Sequence, residues 1–156
     1  MVQLALVELD DPLVAVSAVE VNRPGPSYTA DTLAELAAAD PGRDLLLALG
    51  ADAARGLPEW ERSSLIPELA RLVVFDRLGI ENRGPDVLAQ LRRLGWSLPG
   101  ALAIHIAAPE VDASEIRWRL RQGDSCPEWL PAAVGIEIAD RGLYGWHPRT
   151  KQSVMG

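Results

Sequence analysis

Leu45–Arg55 reads LLLALGADAAR, and this stretch decides the fold. Leu45–Leu49 is a short, continuous apolar run, the pattern of a strand covered on both faces. Gly50 follows at once, and a short helical piece comes after it. Strand, glycine and helix in that order make a βα unit. The order recurs downstream. Leu72–Phe75 (LVVF) and Ala101–Ala107 (ALAIHIA) read as strands; Ser64–Arg71, Asp86–Leu94 and Asp112–Gln122 read as helices, the last closed by Gly123. Pro131–Asp140 is a final helix, with proline in its first turn and Gly142 just past its end. The sum is an α/β fold, a mostly parallel sheet with flanking helices.

Outward toward the amino terminus the same alternation holds. Leu13–Val21 (LVAVSAVEV) is β-branched and partly alternating, so a strand is expected. Arg23–Ser27 (RPGPS) is a turn. Thr29 is placed to cap the next helix, with Asp31 in its first turn and Leu33 and Leu36 on one face. Pro41-Gly42 ends that helix. Met1–Leu9 reads as the last turns of a helix with no cap before it. Residues 1–145 are expected to form one domain, and residues 146–156 a loosely ordered tail.

The 156 residues are 48% hydrophobic, 24% charged and 5% aromatic, the profile of a globular chain rather than a disordered one. No apolar run approaches the ~18 residues of a membrane span, and no basic, apolar signal segment follows Met1. The formal charge of −7 argues against general nucleic-acid binding, which needs a cationic surface. It leaves room for a small anion held by local arginines; Lys151 is the single lysine, and guanidinium groups suit phosphate. The single cysteine, Cys126, excludes a disulfide framework. His105 alternates with Ile104 and Ile106, so a partly buried structural histidine is expected. No cluster has zinc-ligand spacing.

Parallel sheets bind ligands outside the carboxyl ends of their strands. The loops there carry recognisable strings: VEVNRPGPSYTADTL (19–33), LALGADAARGLPEW (47–60), LVVFDRLG (72–79), VDASEIRWRLRQG (111–123) and LPAAVGIEIADRGLYG (130–145). Together they resemble the bacterial nicotinate mononucleotide adenylyltransferases, a family of Rossmann-like nucleotidyltransferases, over nearly the whole chain. The resemblance implies joining of nicotinate mononucleotide to ATP, giving deamido-NAD and pyrophosphate, with Mg2+ accompanying ATP, in the cytoplasm. It implies ATP and nicotinate mononucleotide as partners, with neither nucleic acid nor membrane.

Residue by residue, the resemblance places Thr29 beside the nicotinate ring and Trp60 as a wall stacked on it. Thr29 reads equally as a plain helix cap, and Trp60 as packing against the next helix. Glu61 stands where the family often has a second aromatic residue. Gly50 would let a nucleotide approach the backbone, and Asp52 would accept from its ribose or adenine; a turn glycine and a capping aspartate are the plainer roles. The family string I-S-S-T-x-x-R, which binds the triphosphate, appears here as V-D-A-S-E-I-R. Ser114 and Arg117 match in kind, while Asp112 with Glu115 has the pattern of a capping box on a solvated helix. Arg23 reads as local structure, and Cys126 as inert.

The resemblance also implies a string of the type G-x-F-D-P-x-H-x-G-H, whose histidines meet the ATP phosphates. None of the 156 residues forms it. The family pattern would place strand, helix, strand and a helix start, about fifty residues, ahead of Met1. The expectation is an N-terminally truncated fold with little or no activity of its own and apolar sheet faces that favour self-association. A non-catalytic nucleotide-binding remnant, and a sister adenylyltransferase acting on nicotinamide mononucleotide or phosphopantetheine, are the alternatives.

Overall fold

Arg71–Arg77 (β2) runs between Leu46–Gly50 (β1) and Leu102–Ile106 (β3), parallel to both, in the order β1-β2-β3. Leu46 pairs with Arg71 and Gly50 with Phe75; Val73 pairs with Leu102 and Arg77 with Ile106. The computed structural model describes residues 1–77, 83–106 and 111–147. They fall into two compact units, Ala18–Pro109 and Met1–Ser17 with Glu110–Gly156.

In the first unit the sheet is joined by helices Val19–Asn22 (α2), Thr29–Ala39 (α3), Ala51–Arg55 (α4), Ile66–Leu69 (α5) and Arg83–Arg93 (α6). α6 carries its apolar stripe at Val87, Leu88 and Leu91, spaced for one helical face, and packs against β2 and β3. The core gathers those side chains with Leu57, Ile66, Leu72 and Val74. An α/β architecture with a parallel sheet and flanking helices is therefore what the residues build.

β2 meets the expectation of a strand covered on both faces, since Leu72, Val73 and Val74 are all buried. β1 does not. Its residues alternate, with Leu47 and Leu49 packed on the core and Leu46 56% exposed. The reason is position: among the described strands β1 is an edge, and the core lies on its Leu47 and Leu49 side. β3, the other edge, is exposed along its length, His105 included, so the partly buried setting expected for that histidine is not found.

Three further readings are corrected. Leu13–Val21 is not a strand. Residues 13–17 have no regular structure, with Leu13 92% exposed, and α2 follows. β-branched composition does not make a strand without a ladder partner, and the described sheet offers none here. Glu20 is instead held by side chains, its carboxylate accepting from Thr32 Oγ1 at 2.7 Å and its carbonyl from Ser27 Oγ at 3.0 Å. Ser64–Arg71 is broken into a 3-10 turn at Ser63–Leu65 and the single-turn α5, and Arg71 already belongs to β2. Thr29 is the first residue of α3 rather than its cap; Tyr28 holds the cap position without a side-chain bond.

The second unit packs Val2–Leu9 (α1), Ala113–Arg121 (α7) and Ala132–Arg141 (α8) around Leu120, Val134 and Ile138. Glu8 of α1 accepts from the Ala133 amide at 2.7 Å and so caps the start of α8 from another helix. Gly142, at φ 59°, closes α8 in the left-handed region. Most of the expected tail lies outside the described residues.

Candidate functional site

Leu57 is fully buried and anchors a 3-10 turn, Leu57–Glu59, that delivers Trp60 to the end of a short loop. Pro58 in that turn presets its backbone. Trp60 is partly buried and packs on the core. Trp60 and Glu61 also line a recess of about 280 Å³, whose other wall is Ser27, Tyr28 and Thr29. Thr29 and Trp60, singled out separately in the sequence, are thus brought together.

The clasp between the two walls is Arg62, which sequence reading missed. Its guanidinium pairs with Asp31 in the first turn of α3 and lies 5.9 Å from the Tyr28 ring centroid. The partners are distant in sequence, so no local pattern announces them. Arg23, read as local structure, indeed braces α3: it donates to Thr32 Oγ1 at 3.1 Å and to Glu35 at 2.8 Å.

Gly50 and Asp52 line a second recess in the same unit, about 360 Å³, with Ala51, Ala53, Phe75, Asp76 and Arg83. It lies at the carboxyl ends of β1 and β2, where parallel sheets bind ligands. A Cβ at Gly50 would meet nothing within 4 Å, so the glycine leaves the backbone open there. Asp52 faces two guanidinium groups, Arg55 at 3.5 Å and Arg83 at 3.6 Å. Asp76 is buried and accepts from the Gly84 amide at 2.6 Å, which fixes the start of α6 next to Arg83. Asp76 and Arg83 were not foreseen; an acid inside the apolar LVVFD run was the available signal.

In the second unit Ser114 and Arg117 meet at the start of α7, Arg117 donating to Ser114 Oγ at 3.2 Å. Asp112 caps that helix, accepting from the amides of Ser114 at 2.6 Å and Glu115 at 3.1 Å. These two backbone bonds, Glu115 first, hold its carboxyl below the usual aspartate range. Two helix-start amides are therefore already engaged, and the Asp112 carboxylate stands at the same helix start as Ser114 and Arg117. Arg119, on another face, pairs with Asp124 at 2.5 Å and Glu128 at 2.6 Å and stacks on Trp129. Burial pushes the Cys126 thiol up. Among the described residues no three His, Cys, Asp or Glu side chains gather as a metal cage.

Comparison with known proteins decides the family. The chain is 39% identical over 137 residues to a "Probable nicotinate-nucleotide adenylyltransferase" of Thermus thermophilus, covering 86% of this chain and 66% of that protein. It is 37% identical over 149 residues to the protein of the same name in Dehalococcoides mccartyi, covering 92% and 69%. The chain belongs to the nicotinate-nucleotide adenylyltransferase family. A third member, from Halorhodospira halophila, is 36% identical over 147 residues. The chain spans about two thirds of the length of these adenylyltransferases. No protein-family model matches it. The fold is also that of a Plasmodium falciparum nicotinic acid mononucleotide adenylyltransferase complexed with APC, at a TM-score of 0.69 and 15% identity, over 92% of this chain and 73% of that one. Among the described residues of this adenylyltransferase-family chain, no helix is long and apolar enough to cross a membrane.

Proposed function

We propose that the chain takes part in adenylyl transfer from ATP to nicotinate mononucleotide, forming deamido-NAD and releasing pyrophosphate. The observation that carries this is the meeting of Thr29 and Trp60 at one recess in a chain of this family. Trp60 offers a flat indole wall to a pyridine ring. The Thr29 and Ala30 amides at the start of α3, with no side-chain cap from Tyr28, offer donors for a ring carboxylate, the Asp31 amide being bonded to the Tyr28 carbonyl at 3.0 Å. Gly50 and Asp52 are proposed for the ATP ribose or adenine. Ser114 and Arg117 are proposed for its phosphates.

The reaction asks for no protein nucleophile. A phosphate oxygen of the mononucleotide attacks the α-phosphorus of ATP in line; one P–O bond forms and the bond to pyrophosphate breaks. Catalysis is then positioning and charge stabilisation. Mg2+ would accompany the ATP phosphates. When bound, it supplies charge neutralisation on those phosphates. A cytoplasmic setting, where both nucleotides are found, belongs to the same proposal.

One observation favours a second reading, binding without turnover: the Asp112 carboxylate stands at the helix start beside Ser114 and Arg117, where it would repel an ATP phosphate. Two measurements separate the readings. Titration with nicotinate mononucleotide, followed by tryptophan fluorescence with Trp60→Phe as the control, reports binding. Pyrophosphate release from ATP and nicotinate mononucleotide reports turnover. Binding weakened about tenfold by Thr29→Ala supports the assignment, at about 1.4 kcal/mol. A folded chain that binds neither nucleotide overturns both readings.

A further inference from the structure

We infer that Arg62 sets the charge preference of the recess between Tyr28–Thr29 and Trp60–Glu61, favouring a pyridine nucleotide that bears a carboxylate over one that bears an amide. The inference rests on the reading of this recess as the pyridine site. Two carboxylates stand at it. Glu61 lines it directly, and Asp31 lies two residues beyond Thr29 on the same helix. Either would repel a ligand carboxylate. Arg62 offsets part of that repulsion: it follows Glu61 in the chain, pairs with Asp31, and lies 5.9 Å from the ring centroid of Tyr28, itself a wall of the recess.

The backbone is bent to put it there. Arg62 sits at φ 52° and ψ 31°, the left-handed region that a long side chain avoids. Hydrogen bonds on either side, Ser63 N to Trp60 O and Leu65 N to Arg62 O, both 3.1 Å, hold the bend. The turn carries the side chain to Asp31 of α3 and to the Tyr28 ring. Arg62 offsets part of the repulsion from Glu61 and Asp31; without it both carboxylates stand uncompensated. An uncharged amide ligand is indifferent to the change, and an acid ligand is not.

The Arg62 and Asp31 side chains are 48% and 26% exposed, so water screens the effect to a moderate size. The test titrates the full chain with nicotinate mononucleotide and, separately, nicotinamide mononucleotide. Arg62→Met is expected to weaken the acid about fivefold while leaving the amide within about twofold. Arg62→Lys, which keeps the charge, restores the acid preference. Salt near 1 M narrows the difference between the wild type and Arg62→Met, because exposed charges are then screened within about 3 Å. Should Arg62→Met fail to fold, Glu61→Gln reads the same field and shifts the ratio toward the acid. An acid-to-amide ratio unchanged in these variants, or both nucleotides weakened alike, overturns the inference and leaves Arg62 a structural clasp. A wild-type chain that binds neither nucleotide removes the pyridine-site reading first, and the inference with it.

Discussion

Asp76 is the buried charged residue of the described core, and its recorded partner is a backbone amide. Gly84 supplies that amide, and a Cβ there would stand 2.9 Å from Asp76 Oδ2 and 3.2 Å from the Ala103 Cβ. Gly84→Ala is therefore expected to cost about 1–3 kcal/mol through overpacking. Asp76→Ala leaves the amide buried and unpaired, at a similar cost of about 1–3 kcal/mol. Urea unfolding of both variants checks this; wild-type midpoints would refute it. Asp112 gives a pH dependence. Its folded pKa lies below its unfolded one, so its contribution is fully present above the ordinary aspartate range, near pH 4. It is lost as pH falls through the lower, folded value. The acid limb of the melting profile is expected to flatten in Asp112→Asn, which still caps but does not titrate. At this scale the sequence was half legible. Thr29 and Trp60 stand in distinctive strings, whereas the Arg62–Asp31 and Arg83–Asp52 pairs join residues about thirty apart and exist only once the chain is folded.

Among elements, the loop that presents Trp60 depends on a residue it does not expose. Leu57 is 0% exposed in the core beneath it. Leu57→Ala is expected to destabilise the chain by about 2–5 kcal/mol, and to weaken nicotinate mononucleotide binding beyond that of a control such as Ile138→Val in the other core. Calorimetry with a parallel titration measures both. The strands LLLAL, LVVF and ALAIHIA were readable because their short apolar runs mark them locally. Leu13–Val21 has the same composition and became an open segment and a helical turn, because pairing is decided by neighbours that composition does not name. The expectation that β1 is covered on both faces failed for a related reason. Periodicity separates inward from outward residues, but only the strand order tells an edge from a centre.

For the whole molecule, the paired registers place Leu46, Leu102, Ile104 and Ile106 on one side of the sheet, since partners in a parallel ladder point the same way. They are 56%, 52%, 39% and 36% exposed. An apolar row of that kind beside two strand edges favours association. Sedimentation of the chain is expected to show concentration-dependent self-association, reduced by Leu46→Lys with Ile104→Lys. A monomer at all concentrations would remove the prediction.

The second unit is assembled from two stretches far apart in sequence, Met1–Ser17 and Glu110–Gly156: Glu8 of α1 caps α8 at Ala133. During synthesis at about 5–20 residues per second, α1 leaves the ribosome on the order of ten seconds before its partner exists. Leu4 and Ala5 meanwhile lack the Leu120, Val134 and Ile138 side chains they pack against. Maturation of this unit is thus timed by translation of the Ala18–Pro109 insert, and a slowed ribosome there lengthens the interval in which a chaperone has an apolar helix to hold.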